Sequence, residues 1–387
     1  MEVIEFTKDE INERIKTAQE NLKTAGMRGM LITNKYNVYY YSGYRCVGYE
    51  FSYTRSNFLF IPQSGKPVML VHMFMEQDAK AASMDTCEVR MFPSLKGPSL
   101  EELEDAARAC HMLSGKVGME YGAEQRIDFE INLLHAMEQR FTDVEFVDTA
   151  DLIWKQRMYK SEAEAMCVQR ACEATSYAFD RIFDRIYEGM TEAEVCRMMK
   201  MLMLEGGADD LKGCIVCIGK ENYPRISKAI GGNRKVKRGD FVWIDAQADY
   251  RWYSSDFCRA GVVGEISEER NKKQDLIHKI TMTVVDSLEP GKTTTEITKY
   301  CREQFVKAGF DTSFDCGRIG HGVGLLTTEL PSVTIEDGTV LKPGMIITIE
   351  PGIVDETGVY DIEENILITE TGHKVLSGSS RKLHRIA

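Results

Sequence analysis

The chain has 387 residues, 43% of them hydrophobic and 28% charged, with a formal net charge of −12. So acidic a balance, with no basic stripe, argues against nucleic acid and anionic membranes as partners. No run reaches the roughly 18 apolar residues of a membrane span, and the opening MEVIEFTKDE lacks the basic start and apolar core of a secretion signal, so the expected compartment is the cytoplasm.

This length suits two domains, each with its own core. A helix-patterned stretch around Arg14 and Leu22 comes first, then the strand-like Met30-Leu-Ile-Thr33, the aromatic run from Asn34 to Gly43, and apolar strands ending at Ile61 and Val71. Helical stretches at 101–113 and 128–140 complete an alternating α/β pattern. A border within 147–158 predicts domains 1–152 and 153–387. Beyond it, helices at about 161–188, 191–206, 267–286 and 294–308 alternate with antiparallel hairpins, an α+β arrangement in which Thr191 and Thr293 read as N-caps. The eleven cysteines are scattered, and Cys214-x-x-Cys217 has neither a second pair nor a nearby histidine. They are expected as small buried hydrophobes, not as a zinc site.

Two hairpin-like stretches carry the chemistry: Asp245 and Asp256 in Phe241–Arg259, and Glu350 and Glu363 in Met345–Thr369. A turn centred on Tyr250–Arg251 sets Asp245 opposite Asp256, and one centred on Glu356–Thr357 sets Glu350 opposite Glu363. Directly opposed residues have Cβ atoms roughly 4.5–5.5 Å apart, where like charges repel. The flanking runs FVWID and MIITIE read as buried, low-dielectric strands, so such pairs need a cation. His321, between Gly320 and Gly322, adds an imidazole. One histidine with four carboxylates suits two divalent ions roughly 3.5–4 Å apart with a water between them.

In order, spacing and surrounding text these five residues resemble the metal ligands of the pita-bread fold, shared by methionine aminopeptidase, aminopeptidase P, prolidase and the metal-free creatinase. The matching text is Lys237-Arg-Gly-Asp240-Phe-Val-Trp-Ile-Asp245, Tyr253-Ser-Ser-Asp256-Phe-Cys-Arg259, Ile319-Gly-His321-Gly-Val-Gly324, Leu341-Lys-Pro-Gly344-Met-Ile-Ile-Thr-Ile-Glu350 and Ile362-Glu363-Glu-Asn-Ile366. Residues 10–43 are similar to the amino-terminal domain of the creatinase, prolidase and aminopeptidase P branch. The resemblance implies two divalent ions held by Asp245, Asp256, His321, Glu350 and Glu363, with manganese first and iron, cobalt or zinc as the other choices. It also implies a bridging hydroxide as nucleophile, Glu350 as its base, and a dipeptide or other small-molecule substrate. In that branch an arginine placed like Arg55 binds a substrate carboxylate in the partner subunit's site, which implies a homodimer. Tyr49, Phe51 and Tyr53, in strand-like alternation, would wall a pocket beside it or pack the domain.

Three departures from the peptidases stand out. Where they carry a histidine seven positions after the ligand histidine, this chain has Thr328, and no histidine occurs between His135 and His278 to serve as the other outer one. Those histidines assist the tetrahedral intermediate and the leaving nitrogen, help of the kind worth roughly 10²–10⁴-fold. By position, Thr328 and Tyr223 are the remaining donors. Beside the last ligand, Asp361 replaces an arginine, which suits retained metal, a positively charged substrate, or simply an exposed strand end. The expected activity is hydrolysis of an amide-type C–N bond in a small carboxylate-bearing molecule. An Xaa-Pro dipeptide is the family default, and the absent histidines favour a non-peptide. The alternatives are a metal-dependent lyase resembling dimethylsulfoniopropionate lyases, and a binding protein without turnover, which the intact ligand set opposes.

Overall fold

Apolar runs with no polar break organise the first part of the chain. A computed structural model describes residues 3–225, 231–310 and 317–387, which divide into two units, Val3–Arg157 and Met158–Ala387. The helix Ala150–Arg157 closes the first unit and runs across the predicted 152/153 border. No helix among the described residues is long and apolar enough to cross a membrane.

In the first unit, β1 (Gly29–Ile32), β2 (Phe58–Pro62) and β3 (Val68–His72) are buried at every position, as strands covered on both faces are. With β4 (Glu88–Phe92), β5 (Gly115–Met119) and β6 (Val144–Asp148) they form a six-stranded sheet, order β4-β3-β2-β1-β5-β6. Strand β2 runs antiparallel to β1 and β3, and the other neighbours are parallel. The helix Lys8–Thr24 buries Ile11, Ile15, Ala18 and Leu22 along one stripe. Buried Glu120 sits at the start of helix Lys35–Ser42, accepting from the N–H groups of Thr33 (2.8 Å) and Asn34 (2.9 Å) and from Asn37 Nδ2 (2.6 Å), where an anion complements the helix dipole.

The strand-like reading of residues 49–53 is corrected here. Gly48–Phe51 is a short helix and Tyr53–Arg55 a 3₁₀ turn. A side chain at Gly48 would come within 2.1 Å of Met75 Cε, so glycine lets the helix pack close, and Tyr49 is drawn inward to donate to the Thr33 carbonyl at 2.7 Å. Phe51 and Tyr53 are instead 70% and 91% exposed.

The second unit adds β7 (Asp210–Ile218), β8 (Phe241–Tyr250), β9 (Tyr253–Ser254), β10 (Phe257–Val263), β11 (His321–Gly322) and β12 (Glu329–Ser332). They are followed by β13 (Ile346–Ile349), β14 (Gly352–Asp355), β15 (Gly358–Asp361), β16 (Glu364–Thr369), β17 (Gly372–Val375) and β18 (His384–Ile386). One sheet has the order β18-β10-β8-β7 with β9 paired to β8, a second β12-β11-β13-β16-β17, and β14-β15 form a separate ribbon. Helices Glu162–Ile182 and Glu192–Glu205 pack on β8 and β7, while Glu268–Asp286 and Thr294–Lys307 pack together beside β13 and β15. Three of the four open with a capping box, at Ser161/Glu164, Thr191/Glu194 and Thr293/Glu296. Phe241, Trp243, Ile277, Val284, Ile347 and Ile366 join one core. Ten of the eleven cysteines lie among the described residues, all of them buried, and Cys316 lies outside them. Cys214 and Cys217, three apart on β7, face opposite sides of the sheet.

The two hairpins differ from each other in register. Asp245 pairs with Cys258 and Tyr250 with Tyr253, so the first turn is centred on Arg251–Trp252, one residue later than expected. Both turn residues have positive φ, 53° and 66°, the signature of a type I′ hairpin. The correction moves Asp256 opposite Gln247 and leaves Asp245 on the diagonal; because the shift is even, both carboxylates stay on one face. In the second hairpin Ile349 pairs with Glu364 and Gly352 with Asp361. Glu350 and Glu363 therefore occupy opposed positions in the break between these two ladders.

Candidate metal centre

Four of the five candidate ligands stand at or beside a strand end, and the fifth, Asp245, in the middle of a strand. Asp245 lies within β8, Asp256 in the short link from β9 to β10, His321 opens β11, Glu350 follows β13 and Glu363 precedes β16. Strand β11 fits between its neighbours only because it is rich in glycine: a Cβ on Gly320 would lie 2.1 Å from the Thr348 carbonyl oxygen, and one on Gly322 2.2 Å from that of Leu330.

The side chains converge. His321 Nε2 is 3.4 Å from Asp256 Oδ2 and 3.3 Å from Glu350 Oε1, and one ligand atom from each of Asp256, His321 and Glu363 lies within 4.8 Å of the others. His321 Nδ1 lies 3.0 Å from the Gly322 carbonyl. With Nδ1–H donating there, Nε2 keeps its lone pair toward the carboxylates, the form in which histidine binds metal. Burial pushes the carboxyls of Asp256, Glu363 and Asp361 well above the usual range and that of Asp245 up to about 7. The neighbours acting most strongly on Glu363 are other carboxylates, Asp256 and Glu350 foremost.

Two oxygens there, Glu363 Oε1 and Asp361 Oδ1, are buried without a hydrogen-bond partner. Burying such groups unpaired is costly. Oxygen donors with one imidazole in acceptor form, orphaned oxygens among them, fit a divalent cation of the manganese to zinc series.

Several residues hold these ligands in place. Thr348 accepts from the His321 N–H at 3.0 Å and donates to Glu350 Oε1 at 3.3 Å. Asn365 takes the Asp256 N–H at 2.9 Å and returns its own amide to the Asp256 carbonyl, standing in for a strand partner that the link lacks. Arg259, buried, donates to the Glu363 carbonyl at 3.0 Å and to Glu364 Oε1 at 2.9 Å, and Arg381 secures Glu364 from the other side at 2.7 and 2.8 Å. Gln247 Nε2 donates to Asp245 Oδ1 at 2.7 Å and to Asp256 Oδ1 at 3.0 Å.

Residues 166–370, which hold all five candidate ligands, match the family model described as metallopeptidase family M24, and residues 14–159 match the creatinase/prolidase N-terminal domain. The chain belongs to the M24 family. It is 30% identical to an Xaa-Pro dipeptidase of Pyrococcus horikoshii, over 97% of this chain and 99% of that one. Among solved structures, the prolidase from Pyrococcus horikoshii OT3 superposes with a TM-score of 0.82 at 28% identity, covering 96% of this chain and 99% of that one. An Xaa-Pro dipeptidase from Bacillus anthracis shares the fold with a TM-score of 0.85 at 24% identity, covering 97% and 99%. The pita-bread resemblance and the fold class, a creatinase-like α/β amino-terminal domain before an M24 domain, are thereby shown.

For this M24 chain the remaining sequence-predicted residues fall in different places. Asp361 ends β15 with its carboxyl acted on by Glu350 and Asp245. Thr328 is half-buried in the bend before β12, next to Glu329, whose carboxylate meets Lys160 at 3.1 Å in a buried pair. Arg55 ends the 3₁₀ turn of the first unit, with Nε buried and unpartnered. Tyr223 is buried, its hydroxyl accepting the Phe241 N–H at 3.2 Å and its ring packing edge-on against Phe241 in the core. Gln247, Thr348 and Asn365 went unnoticed in the sequence. Each stands two positions from a candidate ligand, the spacing that returns a strand residue to the same face, and that spacing was the available signal.

Proposed function

We propose that this M24 protein is a metal-dependent hydrolase that cleaves an amide-type C–N bond in a small, carboxylate-bearing substrate. One observation carries the reading: His321 Nε2 meets Asp256 and Glu350 at 3.4 and 3.3 Å, with Glu363 beside them and its Oε1 unpaired. A divalent ion held there, manganese first and iron, cobalt or zinc next, would polarise a carbonyl and acidify a water. The protein's own groups do the rest. Glu350, with its side chain 25% exposed against 8% for Asp256 and 3% for His321, is the carboxylate of these most open to a substrate water, and Thr348 orients it to take that proton. Thr328, at the position of the absent histidine, is the proposed hydroxyl donor.

Arg55 is the proposed anchor of the substrate carboxylate, suited by its bidentate fork, in a homodimer. In the same unit the apolar residues Val47, Phe51, Tyr53 and Phe74 are 60%, 70%, 91% and 70% accessible, in two segments that meet where Gly48 packs on Met75. Such a patch marks an interaction surface. The cytoplasm is the proposed compartment, where buried thiols stay reduced.

The relatives named Xaa-Pro dipeptidase make proline dipeptides the first substrates to assay. With metal restored, kcat/KM on them is expected about 10²-fold or more below that on acylated or cyclic amidine amino acids, for want of the outer histidines. Efficient turnover of proline dipeptides would overturn the substrate assignment but not the hydrolase. A second reading, a lyase acting on a sulfonium acid, draws on the unpaired buried Asp361 Oδ1 as a seat for positive charge. Release of volatile sulfide, with no amide cleaved, would favour it.

A further inference from the structure

We propose that Gln247 closes the cation position between Asp245 and Asp256, so that the protein holds one divalent ion, at Asp256, His321, Glu350 and Glu363, and not two. The inference rests on the reading that this centre binds metal. It begins with the register: the ladder that pairs Asp245 with Cys258 and Ala246 with Phe257 sets Gln247 opposite Asp256. Gln247 is also two residues from Asp245 on the same face. Its side chain is therefore delivered between the two carboxylates. Its Nε2 occupies that space, 2.7 Å from Asp245 Oδ1 and 3.0 Å from Asp256 Oδ1, and spends an N–H on each.

A divalent ion shared by these two oxygens would need each of them at about 2.0–2.2 Å. The amide nitrogen has no lone pair with which to become a ligand, so it and such an ion exclude each other. The amide is also held the right way round. Its Oε1 lies over Gly213, where any Cβ would come within 2.3 Å of that oxygen. Gly213 stands at the irregularity in the β7–β8 ladder, between Leu211 and Gly213, so the sheet itself makes room for the amide. Turning the group over would bring Oε1 against two carboxylates. Gln247 is 7% exposed, too enclosed for water to offset such a clash.

The other half of the centre is open to an ion. Asp256 turns Oδ2 toward His321, away from Gln247, and the metal-competent group among the described residues is Asp256, His321 and Glu363, without Asp245.

The test is a count. Metal-stripped protein is equilibrated with manganese, dialysed, and measured by elemental analysis and by electron paramagnetic resonance, which separates an isolated Mn²⁺ from a spin-coupled pair. The expected result is one uncoupled ion per wild-type chain and two coupled ions per chain in Gln247→Gly. Two tightly held ions in the wild type overturn the proposal, as does a single ion in both proteins, which would mean that Gln247 is not what closes the second position. No bound ion in either overturns this proposal and the metal reading together. The wild-type count is decisive even if Gln247→Gly folds poorly, and Gln247→Leu, which fills the same space without donors, is expected to stay at one ion.

Discussion

The two hairpins that carry the acidic pairs solve the same problem in different ways. In the second, Glu350 and Glu363 stand opposed as their sequence suggests, and the turn between them is closed locally: Asp355 Oδ1 accepts from the Thr357 N–H at 2.7 Å and from its hydroxyl at 2.6 Å. Aspartate turns of this kind can be read from sequence. The first hairpin turns on Arg251–Trp252, which carries none of the Asn-Gly or Asp-Gly signals of a type I′ turn. Its geometry is imposed from outside. Asp209 accepts the Arg251 N–H at 2.9 Å, and Tyr253 donates its hydroxyl to Glu164 at 2.8 Å. The result is a diagonal pair with a third side chain, Gln247, between the carboxylates, against an opposed pair with an orphaned oxygen at Glu363.

The largest effect is expected from neutralising the residue that both halves share. Asp256→Asn keeps the shape but removes the charge facing His321, and it should lose bound metal and at least about 10³-fold in turnover, roughly 4 kcal/mol. A fully active, metal-replete variant would mean that the centre has been misplaced. Next comes the tie between the hairpins. Arg259→Ala strips the buried donors from the Cys258 and Glu363 carbonyls and from Glu364, and is expected to cost about 3 kcal/mol or more in denaturant unfolding. A loss below 1 kcal/mol would show that Arg381 alone holds Glu364.

Asn365→Ala separates positioning from stability. If the amide serves to place Asp256, metal affinity should fall about 10–100-fold, and the rise in Tm on adding metal should shrink. A merely structural side chain would lower the Tm of the metal-free and metal-loaded protein equally.

What could be read in advance follows the same divide. The five candidate ligands stood out because each interrupts or ends an apolar strand, where an acid or histidine is conspicuous, and two helix starts were legible because Thr191 and Thr293 each precede an acid by three residues. Thr348, Asn365 and Gln247 were not, since a hydroxyl or amide within a strand looks like any solvent-facing polar residue until the opposing sheet is placed. Tyr223 was named by position alone, and its packing against Phe241 had no signal in the sequence. Residues 49–53 alternate like a strand, yet the close seat of Gly48 on Met75 makes a helical turn.

The smallest effect tests whether local turn chemistry is what made the second hairpin readable. Burial raises the Asp355 carboxyl, but the bonds from Lys273 and Thr357 outweigh it and hold the group below its ordinary value of 3.8. A carboxyl depressed in the folded state contributes stability that is present above pH 3.8 and lost as pH falls through the lower folded value. Asp355→Ala should therefore cost about 1 kcal/mol at neutral pH and flatten that part of the acid unfolding curve. Asp355→Asn keeps an acceptor for the Thr357 N–H but no charge for Lys273, so it should retain most of the neutral stability while losing the acid dependence. The matching change in the first hairpin, Asp209→Ala, removes a contact from outside the turn and should raise amide exchange at Arg251 without moving the second hairpin. If Asp355→Ala leaves both stability and exchange in its own turn unchanged, the opposition of Glu350 and Glu363 is set by β13 and β16 alone, and the two hairpins differ in their strands and not in their turns.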